Sequence, residues 1–453
     1  MAKLDGWWET HPTLLTVSVH GGPDSNNDGL GDFIGFRQKF CFFKSIGITG
    51  FRFQHVGFYG DDYKWSGLVQ QNWYRVDPHY GTMEDFEGLI NDCNEEGFKI
   101  IMMAVPEYLG WYHPDYLAAK HAKENGIYDP RVDWFTWKDE DTVLTCWDRP
   151  APNVSNSDYR KAFLQHIGFW MDKGIAGWDL DAVMTWHGLN IEALREITSY
   201  IVNRGGFVTA ENMVLLNDIT KYGGCNAGTG YLRHEFYNEL KAIVEGKADH
   251  IRDALKVRSE LKKLGMFPYQ QFGDQSYEIL TNSWFCHIHE MFKLQIAFNC
   301  SLPDQVWVLA NAMTFSEIDR TIKKGPNSSG WGTIDWHAIT EQESNPNSIL
   351  SHFKLMFSLR TRYSALAVGE IEEVETNYHQ DVFAAIRFSY SKQERALVIF
   401  NFSGQPRNVI VNLNGYGINK LVNILNGKEI NAVPTLYQNE INLYGYKFYQ
   451  IID

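Results

Sequence analysis

Two aspartates, Asp179 and Asp181, sit at the end of the short apolar run at 177–182 (GWDLDA). Residues two apart on a strand share a face, so the two carboxylates look the same way. Their repulsion raises at least one pKa unless a cation lies between them, and a salt bridge from one of them to a barrel arginine is the structural alternative. Glu211 follows a second apolar run at 207–210, where apolar walls favour its protonated form and suit it to act as an acid. Asp274 supplies a third carboxylate after the run at 271–273. Taken singly, a strand-end carboxylate is more often a helix cap. A different chemistry is written at 24–32 (DSNNDGLGD), where Asp24, Asn26, Asp28 and Asp32 alternate around Gly29, with Leu30 inside the same loop. Hard cations such as Ca2+ take such oxygen-rich loops. No glutamate follows at the twelfth position of an EF-hand loop, and a polar Asx turn is the simpler alternative. An ion here would be structural, because no reacting group is near in sequence; nothing calls for an organic cofactor.

These residues need a scaffold. Apolar runs at 16–20, 50–54, 100–106, 177–182 and 206–212 end in polar residues, and amphipathic patterns at 85–96, 159–173 and 191–203 fall between them. Strand and helix in alternation mean an α/β fold with a parallel sheet covered by helices. Repeated this often, they favour a closed (β/α)8 barrel, whose chemistry sits at the C-terminal ends of its strands. A stretch rich in Trp, Tyr, Pro and Asp interrupts the rhythm and reads as a functional loop or a small inserted subdomain. After a helix at 351–363 come β patterns at 382–390, 395–401, 408–413 and 447–452, which predict an antiparallel β-sandwich. The expected division is barrel over 1–107, insertion over 108–157, barrel again over 158–369 and C-terminal β domain over 370–453.

Of the 453 residues, 44% are apolar and 21% charged, an ordinary globular mixture. A net charge of −14 without a basic run excludes a nucleic-acid partner. The N-terminus carries no signal-peptide pattern and no apolar stretch spans a bilayer, so a cytoplasmic protein without a membrane partner is expected. The cysteines (Cys41, Cys93, Cys146, Cys225, Cys286 and Cys300) lack ligand spacing and read as buried free thiols. Aromatics reach 15%, enough for either a large core or sugar-stacking platforms. His20, Trp65, Trp73, Tyr108, Trp178 and Trp186 are candidates for a pocket wall, and packing fits each of them equally.

Read together, these motifs resemble glycoside hydrolase family 13, the α-amylase family, nearest its oligo-1,6-glucosidases and trehalulose- or sucrose-type enzymes. The loop at 24–32 is similar to the family's calcium loop, and 80–86 (YGTMEDF) matches its "fGTmeDF" helix start. Residues 147–160 resemble the end of domain B, and 174–182 resemble the "GvDGFRlDa" strand. Residues 207–211, 272–274 and 302–303 resemble the acid/base strand, "NHD" and the start of "LPGtP". The resemblance covers nearly the whole chain. It implies Asp181 as nucleophile, Glu211 as general acid/base and Asp274 as the carboxylate that holds sugar hydroxyls. It also implies double displacement with retention, the first two lying about 5–5.5 Å apart.

The departures are as informative. Asp179 stands where the family has an arginine, replacing a cation with a like charge. The family's "DvvpNH" is Met103-Ala104-Val105-Pro106-Glu107-Tyr108, its "GYd" is Gly67-Leu68-Val69, and its "NHD" histidine is Gly273. The carboxylates survive while much of the glucose-gripping shell is rewritten, which implies a non-standard carbohydrate or sugar-like substrate. Asp179, Glu107, Tyr108, Trp178 and His20 are the expected substrate-binding residues. Arg52 is a candidate for the lost positive charge, with a peripheral salt bridge the favoured reading. The leading expectation is a hydrolase, transglycosidase or isomerase. The alternatives are a catalytically inactive pseudo-glycosidase that binds a carbohydrate or protein, and a lyase or isomerase using Asp179 and Asp181 for proton transfer.

Overall fold

The computed structural model describes residues 6–10, 12–58, 69–139, 141–181, 191–210, 227–228, 241–263, 267–272, 287–316 and 333–452. Eight parallel strands close on themselves: β1 (Thr13–Val17), β2 (Gly50–Phe53), β3 (Lys99–Ala104), β6 (Gly177–Leu180), β7 (Phe207–Ala210), β8 (Ala227–Gly228), β9 (Phe267–Phe272) and β10 (Gln305–Leu309). Closure is made where β10 pairs with β1, Leu14 beside Trp307 and Thr16 beside Leu309. The strands carry apolar residues on both faces because both are covered. Phe51 and Phe53 point outward and pack on Phe36, 5.4 and 5.0 Å between ring centres, between β2 and α1 (Phe33–Gln38).

Helix starts are written locally. At α3 (Met83–Glu96), Thr82 accepts from the Asp85 N–H while the Asp85 carboxylate accepts from the Thr82 N–H, a reciprocal cap that accounts for the pattern at 80–86. Asn156 caps α5 (Ser157–Asp172) in the same sense, its side chain accepting from Asp158 and Tyr159. The sequence places the first strand three residues late. The strand begins directly after Pro12, whose carbonyl accepts the Val306 N–H, and Ser18–His20 lie beyond its end. Helix α6 (Ile191–Asn203) has the expected bounds, and its buried stripe is Leu194, Ile197, Thr198 and Ile201.

Between β3 and β6 the chain forms α4 (Pro114–Asn125) and a two-stranded hairpin, β4 (Thr145–Cys146) with β5 (Arg149–Pro150). The C-terminal part holds a six-stranded sheet, ordered β11 (Glu370–Glu373), β12 (Val382–Phe388), β13 (Arg395–Asn401), β18 (Tyr446–Ile452), β15 (Lys420–Asn423) and β16 (Glu429–Asn431). A second sheet of β14 (Arg407–Asn412) and β17 (Leu436–Ile441) faces it. One face of the larger sheet joins the barrel core through Phe383, Phe400 and Phe448. Val409, Val411, Leu397 and Ile399 fill the space between the sheets. Among the described residues no helix is long and apolar enough to cross a membrane. Cys93, Cys146 and Cys300 are buried free thiols, whereas Cys41 is exposed on the outer face of a covering helix, contrary to expectation. Cys225 and Cys286 lie outside the described residues.

Candidate active site

The barrel interior is built in layers. At the N-terminal end, Leu14, Ile101, Phe207 and Trp307 meet as a separate apolar cluster, with Trp7 and Trp8 packed beneath. These side chains close the floor. Gly177 belongs to this level because a Cβ there would lie 2.1 Å from the Phe207 carbonyl oxygen.

The next layer is charged. Met103, Asp179 and Thr209 are register partners on neighbouring strands and so share the inner face. Arg52 reaches this layer from β2, its Nε 2.8 Å from Oδ2 of Asp179 and its Nη2 on the same oxygen. Strand β3 stands between β2 and β6, so the two side chains meet only across the concave lumen. Both are 5% exposed. Burial pushes the Asp179 carboxyl above the usual range, the Arg52 guanidinium opposes that rise, and the charge of Asp181 adds to it. The expectation of a peripheral salt bridge for Arg52 is therefore corrected: the pair is the central layer of the barrel. Asp179 is correspondingly spent on Arg52 and does not face the mouth as a substrate contact.

Asp181 lies one level higher, immediately after β6, and is partly exposed. Its backbone N–H donates to the Ala104 carbonyl at 2.9 Å, so the strand ladder fixes where its side chain begins. Glu211 and Asp274 lie outside the described residues; the chain reaches Glu211 directly after β7 and Asp274 two residues after β9. Trp65, Trp186, Gly67, Leu68 and Gly273 also lie outside them.

The β4–β5 hairpin folds over the mouth. Cys146 is fully buried with Val69, Val105, Tyr108 and Ala151. Burial, with the nearby charges of Glu107 and Asp181, pushes its thiol up to about 12. Glu107 is buried and lines a cavity of about 60 Å³ with Thr136, Leu144 and Asn153. At the hairpin tip Trp147 and Asp148 both take positive φ, 49° and 60°, a left-handed pair that side chains rarely adopt. Trp111 donates to the Asp148 carbonyl, and Trp147 is 54% exposed. Sequence reading took Cys146 only as a buried thiol and did not single out Trp147; the local signal was the Trp-Asp dipeptide in a turn position.

Trp178 is not a wall of this site. Strand alternation sends it outward, where it packs against His55 and His166 at 5.9 and 5.5 Å. Trp73 likewise packs on His113 and His166. His20 is buried between the Ser18 and Tyr80 hydroxyls, 3.3 and 3.4 Å away, and burial pushes its imidazole down to about 4. The Gly57 N–H donates to Nδ1 of His55 at 2.7 Å, so Nε2 carries the proton and donates to Nε2 of His166 at 2.9 Å. Burial lowers His55 to about 3, His113 to about 4, His352 to about 4 and His166 well below its ordinary value. The unfolded chain therefore binds more protons than the native one below pH ~6.5, and stability is lost as pH falls from there towards the native values. Asp179, raised instead of lowered, contributes with the opposite slope. Urea unfolding at pH 7.5 and 5.5 is expected to show a loss on the order of 1 kcal/mol per buried imidazole. A level or rising midpoint on acidification contradicts neutral buried imidazoles.

At 24–32 the oxygens organise the loop. Asp24 accepts from the N–H groups of Asn26, Asn27 and Gly29, Asn26 from Asp28, and Asp28 from Leu30. Asp32 accepts from Ser25 and caps α1 through Gly35. Slight burial acts to raise Asp24, but the N–H groups of Gly29, Asn27, Asn26 and Asp28 together hold it below the usual carboxylate range.

Residues 22–160 match the family described as "Alpha amylase, catalytic domain". Alpha-amylase 3 of Dictyoglomus thermophilum is 22% identical over 95% of this chain and 89% of its own length. Over residues 22–160 the chain is similar to the α-amylase family. Maltase A2 of Drosophila melanogaster is 28% identical over 40% of this chain, but that match spans only 36% of the maltase. Among solved structures, Eubacterium rectale Amy13B superposes with a TM-score of 0.79 at 16% identity, covering 99% of this chain and 96% of Amy13B. In this chain the guanidinium in the lumen comes from β2, opposite the aspartate at position 179.

Proposed function

We propose that the protein is an atypical α-amylase-family enzyme acting on a glycosidic or glycoside-like bond with retention. The observation that carries this reading is Asp181: it stands partly exposed at the C-terminal end of β6, above a lumen in which Asp179 is paired with Arg52. Asp181 attacks the anomeric carbon and forms an ester bond as the glycosidic bond breaks. Glu211 protonates the departing oxygen, then takes a proton from the water or sugar hydroxyl that attacks the same carbon and frees Asp181. Asp274 holds ring hydroxyls. Glu107 and Tyr108 stand where the family grips a glucose ring with other groups, so the substrate departs from a plain α-glucoside. The divisions at 107/108, 157/158 and 369/370 follow this reading as barrel, domain B, barrel and β domain.

The test is product analysis with maltose, isomaltose, sucrose, trehalose, an aryl α-glucoside and aminated or deoxygenated analogues. Turnover releasing the α-anomer first supports the reading, and first release of the β-anomer contradicts retention. Absence of turnover across the panel moves the assignment to a pseudo-glycosidase that binds without cleaving.

The loop at 24–32 fits a hard cation in donor chemistry, offering the oxygens of Asp24, Asn26, Asp28 and Asp32 and the Leu30 carbonyl, with no nitrogen or sulfur donor among them. We propose that these residues hold a structural Ca2+, which neutralises clustered carboxylates and takes no part in bond cleavage. With the ion at about 100 times its Kd, chelation is expected to lower Tm by about 3 °C, and Asp28→Ala to remove that dependence. Scanning calorimetry with and without EDTA checks it; an unchanged Tm refutes the ion.

A further inference from the structure

We infer that Arg52 is a positioning residue for Asp181: by holding Asp179 as an ion pair in the lumen, it leaves Asp181 as the strand's uncompensated carboxylate at the mouth. This rests on the role proposed for Asp181.

The geometry carries it. Nε and Nη2 of Arg52 converge on one carboxylate oxygen of Asp179, with both side chains buried beyond the reach of screening salt. A guanidinium at this depth is not a packing device; an apolar chain of its length would continue the floor made by Leu14, Ile101, Phe207 and Trp307. Asp179 and Asp181 are two residues apart on one face and feel each other's charge. Without the cation they would behave as a coupled pair and retain a shared proton to higher pH. Among the described residues, Arg52 from β2, the neutral thioether of Met103 from β3 and the Thr209 hydroxyl from β7 face the carboxylates. Glu107 and Cys146 stand on the insertion side near Asp181.

The experiment uses the full chain with Arg52→Met, Asp179→Asn and the double variant Arg52→Met/Asp179→Asn. Two readouts are taken: the pH dependence of kcat/KM on whichever panel sugar is turned over, and the titration of 13C-labelled aspartate carboxyls by NMR, with Asp181→Asn assigning the signal. Arg52→Met is expected to move the acid limb up, with the aspartate carboxyl titration moving in the same direction. The corresponding loss is about tenfold in kcat near pH 6, with KM changed less than about twofold. Asp179→Asn, which leaves the guanidinium uncompensated, is expected to move the limb down, and the double variant to return it. Should Arg52→Met fail to fold, Asp179→Asn and the double variant decide. Equal limbs in wild type and both single variants overturn the inference, as does a double variant as displaced as Arg52→Met. If the wild type turns over no sugar, the functional reading fails by itself, and the carboxyl titration alone judges the role of Arg52.

Discussion

Asp181→Asn is expected to lower kcat by about 10³-fold or more while leaving the melting temperature within about 1 °C of wild type. The loss is large because an amide cannot form the ester to the anomeric carbon, and among the described residues no neighbouring carboxylate is placed to take over: Asp179, on the same face, is engaged by Arg52 one level lower. The fold is insensitive because the main chain of Asp181 carries the structural bond, its N–H to the Ala104 carbonyl, and asparagine keeps that bond and the side-chain volume. Stopped-flow or discontinuous assay on the turned-over sugar, paired with calorimetry, checks both halves. Residual activity above about a tenth of wild type would falsify the nucleophile assignment, whereas loss of activity together with loss of folding would leave Glu211→Gln as the deciding variant.

Arg52→Met alone is expected to destabilise the protein by about 3–5 kcal/mol, because it strands a buried carboxylate that water cannot reach. Removing both partners is a different perturbation. Arg52→Met/Asp179→Leu replaces the pair with side chains like those of the floor below, and such replacements are commonly neutral or stabilising by about 1–4 kcal/mol. Urea unfolding of wild type, both single variants and the double measures the coupling. A double variant that loses the sum of its single losses would show that the two side chains act independently, against the contact in the lumen. Together with the activity test, this separates what the pair contributes to the fold from what it contributes to the charge of Asp181.

Much of the scaffold was readable because it is local. The run at 50–54 is apolar, strand-length and bounded by Gly50, and it became β2 with Phe51 and Phe53 outward. Thr82 and Asp85 cap α3 within one turn, so a seven-residue string carries the helix start. The first strand was misplaced because Leu14 and Leu15 are both buried, and an unbroken apolar run carries no period to mark where pairing begins. Trp178 was assigned to the pocket from its neighbours in sequence, although the period-2 rule that put Asp179 and Asp181 inward sends residue 178 outward.

By itself the sequence determined the alternation that makes a barrel, the strand ends that carry Asp181 and Glu211, and the oxygen-rich loop at 24–32. Those are set by hydrophobic period, caps and turn residues, whose range is a few residues. Only the tertiary structure decided what Arg52 does. It lies 127 residues from Asp179, and the strands that bear them are not neighbours in the sheet. Barrel closure curves the sheet until β2 and β6 face one another across β3, and that curvature turns an arginine and an aspartate on separate strands into one buried ion pair beneath Asp181.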